Sequence, residues 1–292
     1  AVRPAGQPAV PSAQSRRAEG ASARRGIIAG QYSPLPCRRC RGDLILPRMA
    51  RTAAMLVIGN EILSGKVQDA NTQALALTLR GLGIELRRVV TVPDEVALIA
   101  AELNALRAQY DYVFTSGGVG PTHDDVTIAA AARALGRQVV RNPALEALLR
   151  GYYGARLTDG HLQMADVVEG TELYAGDGPT WPAMVLGNVF ILPGVPDIFR
   201  RKLTALRPRL AGDEAPFVLR SVYTSADEGE IKPHLDATVG AFPDIAVGSY
   251  PRLNDPAYSV RVTFDGRDVA RVEAAAADFI ARLPPAYFLR AE

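Results

Sequence analysis

Asp124 and Asp125 close a run of unusual composition, Thr115-Ser116-Gly117-Gly118-Val119-Gly120-Pro121-Thr122-His123. Its glycines adopt backbone angles that other residues avoid and let a ligand lie against the main chain. Pro121 suits the first turn of a helix, and Thr122 with Asp125 has the spacing of a capping box. A helix starting there presents free N–H groups to an anion such as phosphate. Two carboxylates at the same spot call for a cation between them and that phosphate, which describes a metal–phosphate site. The same residues also fit a glycine turn with acidic caps, because carboxylates favour a helix N-terminus on structural grounds alone. On this stretch both readings stand.

Other chemistries are poorly served. Gly59-Asn60-Glu61-Ile62-Leu63-Ser64-Gly65-Lys66-Val67 has a glycine spacing near that of a phosphate-binding P-loop. It has five residues between the glycines, and Val67 stands where the magnesium-binding Ser or Thr belongs. Neither the Gly-x-Gly-x-x-Gly dinucleotide fingerprint nor a Gly-x-Ser-x-Gly nucleophile elbow is present. There are three histidines, His123, His161 and His234. His123 beside two aspartates is a candidate ligand or base, although a single His in such a place is more often a surface residue. Both cysteines, Cys37 and Cys40, form one Cys-x-x-Cys near the amino terminus. A structural zinc site needs four ligands, so this pair reads as accidental.

The carboxylates need a scaffold, and the flanking pattern supplies one. Ala54-Met55-Leu56-Val57-Ile58 is a continuous apolar run, hence a buried strand, and 59–65 is the loop after it. Leu75, Leu79 and Leu82 form a helical stripe that ends at Gly81 and Gly83. A strand over 84–92 and a helix with Val96, Ile99, Leu103 and Leu106 follow, the helix capped by Asp94. A strand over 111–115 then leads into the glycine run, and 126–135 has strong helix composition. Leu145, Leu148, Leu149 and Tyr152 suit another helix, and 176–182 is a turn-rich loop. Val189-Phe190-Ile191-Leu192 is a buried strand running into Pro193-Gly194-Val195-Pro196 and a helix with Phe199, Leu203, Leu206 and Leu210. This alternation predicts a three-layer α/β/α domain with a mostly parallel sheet. Ligands of such sheets bind outside the carboxyl ends of the strands, so the loops at 59–65, 116–125 and 193–196 are expected on one edge.

After 212–216 the pattern changes to a small α+β domain. It has strands over 217–224, 245–250 and 258–264, a helix with Ile231, Leu235 and Val239, and a last helix with Val269, Val272, Ala276 and Ile280. It is expected to pack, dimerise or shape a rim, with Tyr250-Pro251-Arg252 and Asn254-Asp255 in reach of a neighbouring site. The domains are thus drawn as 1–48, 53–210 and 217–290.

The net charge of +2 hides an asymmetry. Residues 1–48 carry nine arginines against Glu19 and Asp43, which leaves 24 basic and 29 acidic residues in the remainder. A mildly acidic body argues against a nucleic-acid surface. The arginine-, proline- and serine-rich first 48 residues cannot bury enough apolar area to fold alone and read as a disordered tail or extension, with an arginine-rich targeting segment as the alternative. No apolar run reaches the length of a membrane span. With no cysteine after Cys40, a reducing, cytoplasmic setting is expected.

Three motifs together carry a resemblance: Gly59-Asn60-Glu61-Ile62-Leu63-Ser64-Gly65 with Asp69-Ala70-Asn71-Thr72, the 115–125 run, and Leu192-Pro193-Gly194-Val195-Pro196. They resemble the MoaB/Mog (molybdopterin-binding) domain family, nearest to the amino-terminal domain of competence/damage-inducible protein A (CinA) proteins. Trp181-Pro182 ahead of Asn188-Val189-Phe190 is similar to the molybdopterin-binding-like half of FAD synthases. The resemblance covers about 54–210, and 217–290 fits the small domain that follows in that family. Two departures stand out: Asn60 occupies a position where most relatives have an acid, and Gly178-Pro179-Thr180-Trp181-Pro182 replaces the Gly-Thr-Ala-Pro-Gly common in CinA proteins.

The resemblance implies a nucleotide or pterin ligand, a divalent metal (Mg²⁺ or Co²⁺) with potassium as a further ion, and no tightly bound organic cofactor. The reading it favours is hydrolysis of a nucleotide pyrophosphate bond of the FAD or ADP-ribose class. Asp124 and Asp125 would hold the metal, and Glu61 would assist it or orient the attacking water. Gly117, Gly118 and Gly120, with Pro121 and Thr122 at the expected helix start, would cradle the phosphates. Gly59, Asn60, Ser64, Gly65, Asn71, Ser116, Thr127, Pro193, Gly194 and Pro196 would contact the ligand. A non-catalytic molybdopterin- or nucleotide-binding module and a molybdopterin adenylyltransferase are the alternatives. Neither a nucleic acid nor a membrane is an expected partner, and a homodimer is compatible with the pattern.

Overall fold

The computed structural model describes residues 50–176, 181–253 and 256–292. The expectations for 1–48, including Cys37 and Cys40, and those for Gly178, Pro179, Thr180, Asn254 and Asp255, lie outside the described residues.

The first part runs β1 (Thr52–Ile58), α1 (Asn60–Leu63), α2 (Asn71–Arg80), β2 (Glu85–Val92), α3 (Val96–Gln109), β3 (Tyr112–Ser116) and α4 (Thr127–Leu135). It continues through β4 (Val139–Arg141), α5 (Pro143–Tyr153), α6 (Asp159–Gln163), β5 (Asp166–Val168), β6 (Glu172–Tyr174), β7 (Ala183–Leu186), β8 (Val189–Leu192) and α7 (Pro196–Leu210). A six-stranded sheet has the order β2-β1-β3-β8-β7-β6. Its first four strands are parallel; β7 runs antiparallel to β8, and β6 antiparallel to β7 and so in the direction of the first four. The mostly parallel α/β/α sandwich expected from the pattern is therefore present.

Strand β1 shows why the run at 54–58 has no polar residue. Ala54, Leu56 and Ile58 pack on one face with Ile99, Leu103 and Ala130 from α3 and α4. Ala53, Met55 and Val57 pack on the other with Leu75, Leu79 and Phe199 from α2 and α7. Successive strand residues point to opposite faces, so a strand between two helical layers must be apolar at every position. The chain leaves β1 for β2 on one side and reaches β3 on the other, which opens a crevice at the carboxyl ends between β1 and β3.

Several elements went unread in the sequence. Strand β7 was not expected and forms a hairpin with the expected β8 around Gly187 (φ 62°), and the unread β4 pairs with the unread β5 as a separate two-stranded ribbon. The unread strands have only three or four residues, too few to display a period. Leu145 and Leu149 face a local core, whereas Leu148 and Tyr152 are exposed.

The second part runs β9 (Val218–Thr224), α8 (Glu228–Ala241), β10 (Ala246–Pro251), β11 (Val260–Gly266), α9 (Val269–Arg282) and β12 (Phe288–Ala291). It forms an antiparallel sheet of order β10-β11-β9-β12, with α8 and α9 closing a core around Phe264 and Phe279. The expected β-α-β-β-α set gains a final strand. Val239 and Val269, taken as core positions, are exposed, and Thr238, Ala275 and Phe279 are buried instead.

The two sheets meet at the amino ends of β1 and β2. Arg51, just ahead of β1, donates to both carboxylate oxygens of Glu214 and to the Tyr112 hydroxyl. Arg80 pairs with Asp265, and Arg267 donates to the Gly83 carbonyl and to Glu85. Phe217 lies between the Arg80 and Arg267 guanidinium groups, 4.7 and 4.6 Å from its ring centre. The length of β1, about 20 Å, separates this junction from the crevice.

Candidate functional site

The three loops expected to share an edge touch one another there. Gly117 carries φ 110°, and a Cβ on it would stand 2.1 Å from the Ile58 carbonyl oxygen at the end of β1. A Cβ on Gly194 would lie 3.3 Å from the Gly117 Cα. Behind the loop, Thr127 is fully buried and its hydroxyl donates to the Gly117 carbonyl at 2.9 Å. Gly118 (φ 65°) leaves no room for a side chain against that hydroxyl. The glycines are therefore needed for close backbone approach, and Thr127 fixes the glycine run to the start of α4.

A small cleft, about 50 Å³ in volume, opens at this edge. Its wall includes Glu61, Asp69, Asn71, Ser116, Gly194 and Pro196. Asn71 opens α2 and is 4% exposed. Its amide Nδ2 donates to Ser116 Oγ at 2.9 Å and to the Gly194 carbonyl at 2.7 Å, so one side chain at the start of α2 joins the second and third loops. Asp69 accepts from the backbone N–H groups of Asn71 and Thr72 and from the Thr72 hydroxyl. The Glu61 carboxylate folds back over Gly59, whose added Cβ would lie 2.5 Å from its oxygens.

The glycine loop departs from expectation at its far end. No helix starts at Pro121 or Thr122: 121–124 is an exposed turn, Asp125 and Val126 are half-buried, and α4 begins at Thr127 without a side-chain cap. Asp125 accepts from both the backbone N–H and the hydroxyl of Thr122, while the Asp125 N–H donates to the Thr122 carbonyl. This is a closed turn rather than a helix cap, because Val126 interrupts the geometry before the first helical residue. The nearby Thr122 hydroxyl, whose hydrogen Asp125 also draws on, and the Asp124 backbone N–H hold the Asp124 carboxyl below the usual carboxylate range. His123 is almost wholly exposed, 4.0 Å from Asp124, as a surface residue would be.

The expected residues thus sort into groups. Glu61, Asn71, Ser116, Gly194 and Pro196 line the cleft. Gly59, Gly117, Gly118 and Thr127 pack at the strand ends next to it without entering its wall, and Pro193 leads into the third loop. Asn60, Ser64 and Gly65 belong to the exposed turn of α1. Gly120, Pro121, Thr122, Asp124 and Asp125 stand on the turn beside the cleft and are not part of its wall. Tyr250, Pro251 and Arg252 are likewise absent from the wall.

Two acids acquire unexpected places. Asp69 enters the cleft, a position signalled by the Asp-x-Asn-Thr pattern of a helix start. Asp94 does not cap α3, whose N-cap is Glu95 without a side-chain bond; it accepts from the Asn60 N–H at 2.8 Å and so ties down α1. Among the described residues no three His, Cys, Asp or Glu side chains gather closely enough to hold a metal by themselves.

A three-layer domain with a cleft where its parallel strands end, followed by a small antiparallel sheet, defines the class of protein. Residues 54–212 match the probable molybdopterin binding domain, and residues 216–292 match the middle domain of FAD synthase. The chain belongs to the molybdopterin-binding domain family, with homology to FAD synthases in its second part. A probable FAD synthase of Caenorhabditis elegans is 31% identical over 257 residues, covering 78% of this chain and 49% of that protein. The chain therefore spans about half the length of that relative. A protein of Archaeoglobus fulgidus is 32% identical over 225 residues, covering 77% of this chain and 95% of its own. The crystal structure of the protein CinA, with unknown function, from Thermoplasma acidophilum is 31% identical with a TM-score of 0.51. It covers 55% of this chain and 98% of that one.

Proposed function

We propose that the cleft binds a nucleotide carrying a phosphoanhydride, and that the protein hydrolyses a pyrophosphate bond of the FAD or ADP-ribose class. The observation that carries this reading is the meeting of strand-end loops at one cleft, where Asn71 ties Ser116 to Gly194 and the half-buried backbone of 118–120 follows directly in the chain. Glycine backbone at strand ends accepts phosphates because N–H groups face the ligand without a side chain in the way. Residues 53–210 would form the ligand-binding domain, and 217–290 a structural unit fastened at the opposite edge.

The residues present fit a metal of the magnesium type, which is commonly held by one or two carboxylates together with substrate phosphates and waters. Asp124 and Asp125 would supply those carboxylates from the turn beside the cleft, consistent with an ionised Asp124. Such a metal would neutralise charge on the phosphates. Glu61, folded over Gly59 in the cleft wall, would orient the attacking water. The similarity of the second part to FAD synthase supports a flavin or adenine nucleotide as ligand.

The test is a panel of FAD, ADP-ribose, NADH and ATP with Mg²⁺ or Co²⁺, with and without K⁺, read by product detection. Cleavage of at least one is expected, and Asp124→Ala with Asp125→Ala is expected to abolish it. Turnover at the wild-type rate by that double variant would sink the assignment of roles.

A second reading, a binding module without turnover, is favoured by one observation: Asp125 is already engaged by Thr122, and no three-carboxylate cluster backs it among the described residues. Ligand-induced thermal stabilisation with no product from any member of the panel would select it.

A further inference from the structure

We infer that Asn71 is a positioning residue that makes the Ser116 hydroxyl a hydrogen-bond donor to an anionic oxygen of the ligand. The inference rests on the cleft being the ligand site proposed above.

The orientation of the Asn71 amide is fixed by its neighbours. The Gly194 carbonyl can only accept, so the group facing it at 2.7 Å must be the NH₂. The second hydrogen of that NH₂ goes to Ser116 Oγ at 2.9 Å. A flipped amide would set two carbonyl oxygens against each other. The arrangement has a cost, because Asn71 Oδ1 is buried with no partner. An unsatisfied buried acceptor typically costs about 1–3 kcal/mol, so the two donated bonds are held against a penalty.

The consequence falls on Ser116. A hydroxyl has one hydrogen and two lone pairs. With Asn71 donating to its oxygen, the Ser116 hydroxyl is free to donate elsewhere, and no group among the described residues accepts from it. Ser116 lines the cleft at the end of β3, next to the Gly117 backbone. The free O–H is therefore available to a ligand acceptor there, and a phosphate oxygen beside the glycine run is the acceptor that the site chemistry supplies. Asn71 acts only through Ser116 and touches no reacting atom.

A double-mutant cycle tests this, with ADP-ribose and FAD as probes and calorimetric affinity as the readout. Ser116→Ala is expected to weaken binding about tenfold, the loss of one hydrogen bond to a charged acceptor. Asn71→Ala is expected to weaken it similarly, and the double variant is expected to match Ser116→Ala alone. Asn71→Asp guards against a folding defect in Asn71→Ala. Its carboxylate would accept the Ser116 hydrogen and draw it from the ligand, so it should weaken binding more when Ser116 is present than in the Ser116→Ala background. Losses that multiply, or an unchanged affinity in Ser116→Ala, overturn the inference while leaving the cleft as ligand site. A wild-type protein that binds neither probe overturns both.

Discussion

The Ile58 carbonyl oxygen and the Gly117 Cα are so close that a single added carbon on Gly117 would meet that oxygen at 2.1 Å. The end of β1 and the glycine run are thus in direct backbone contact, and Gly117 also has φ 110°. Gly117→Ala must move backbone against backbone, so it is expected to destabilise by more than about 3 kcal/mol. Gly136→Ala is the control: its φ of 63° is strained, but nothing lies within 4 Å, and about 1 kcal/mol is expected. Urea unfolding of both variants checks the contrast.

Thr127 holds the glycine run from below. Thr127→Val keeps the shape of the side chain and loses the bond to the Gly117 carbonyl, at an expected cost of about 1–3 kcal/mol. Thr127→Ser keeps the bond and loses one buried methyl group, at about 1 kcal/mol. Ligand affinity should follow the hydroxyl rather than the volume, with Thr127→Ser near wild type and Thr127→Val weaker.

The junction between the sheets depends on Arg51 and Glu214, which are 16% and 9% exposed. Glu214 is the leading cause of the raised Arg51 pKa, so the arginine stays charged and cannot leave the junction neutral. Glu214→Ala would leave that charge half-buried. A loss of about 2–3 kcal/mol is expected, between the limits for exposed and fully buried pairs. Arg51→Ala in the same background should add much less than it does alone, as thermal unfolding of the four proteins would show.

Lys202 gives a pH dependence. It is buried on α7, donates to the Trp181 and Pro182 carbonyls, and burial pushes its pKa from 10.5 down to about 8. Between those values the unfolded chain binds more protons than the folded one, so stability rises with pH. The gain is absent below the folded pKa and complete above the unfolded one. From pH 7.5 to 9.5 this group should add about 2 kcal/mol. Lys202→Met should lose that increment, which denaturant titrations at the two pH values would measure.

Much of this was legible in the chain. The unbroken apolar run of β1 required helices on both faces, and the glycine, proline and Asp-x-Asn patterns marked three loops after strands. The short strands β4, β5, β6 and β7 were not legible, because three or four residues of mixed character cannot show a period. Nor was the end of the glycine run: the spacing of Thr122 and Asp125 suits a helix cap and a closed turn equally, and only the start of α4 at Thr127 separates them.

The sequence by itself determined the layered architecture, because residue alternation and helical stripes reflect local geometry that repeats along the chain. Its motifs at strand ends also foretold that Glu61, Asn71, Ser116 and Gly194 would lie together, as they do in the wall of one cleft. Tertiary structure alone decided that Asn71 ties Ser116 to Gly194, that Asp69 belongs in the cleft, and that the second sheet is fastened at the opposite edge. Those relationships join residues up to 185 positions apart, and their partners are chosen by how the sheet twists and packs rather than by any local pattern.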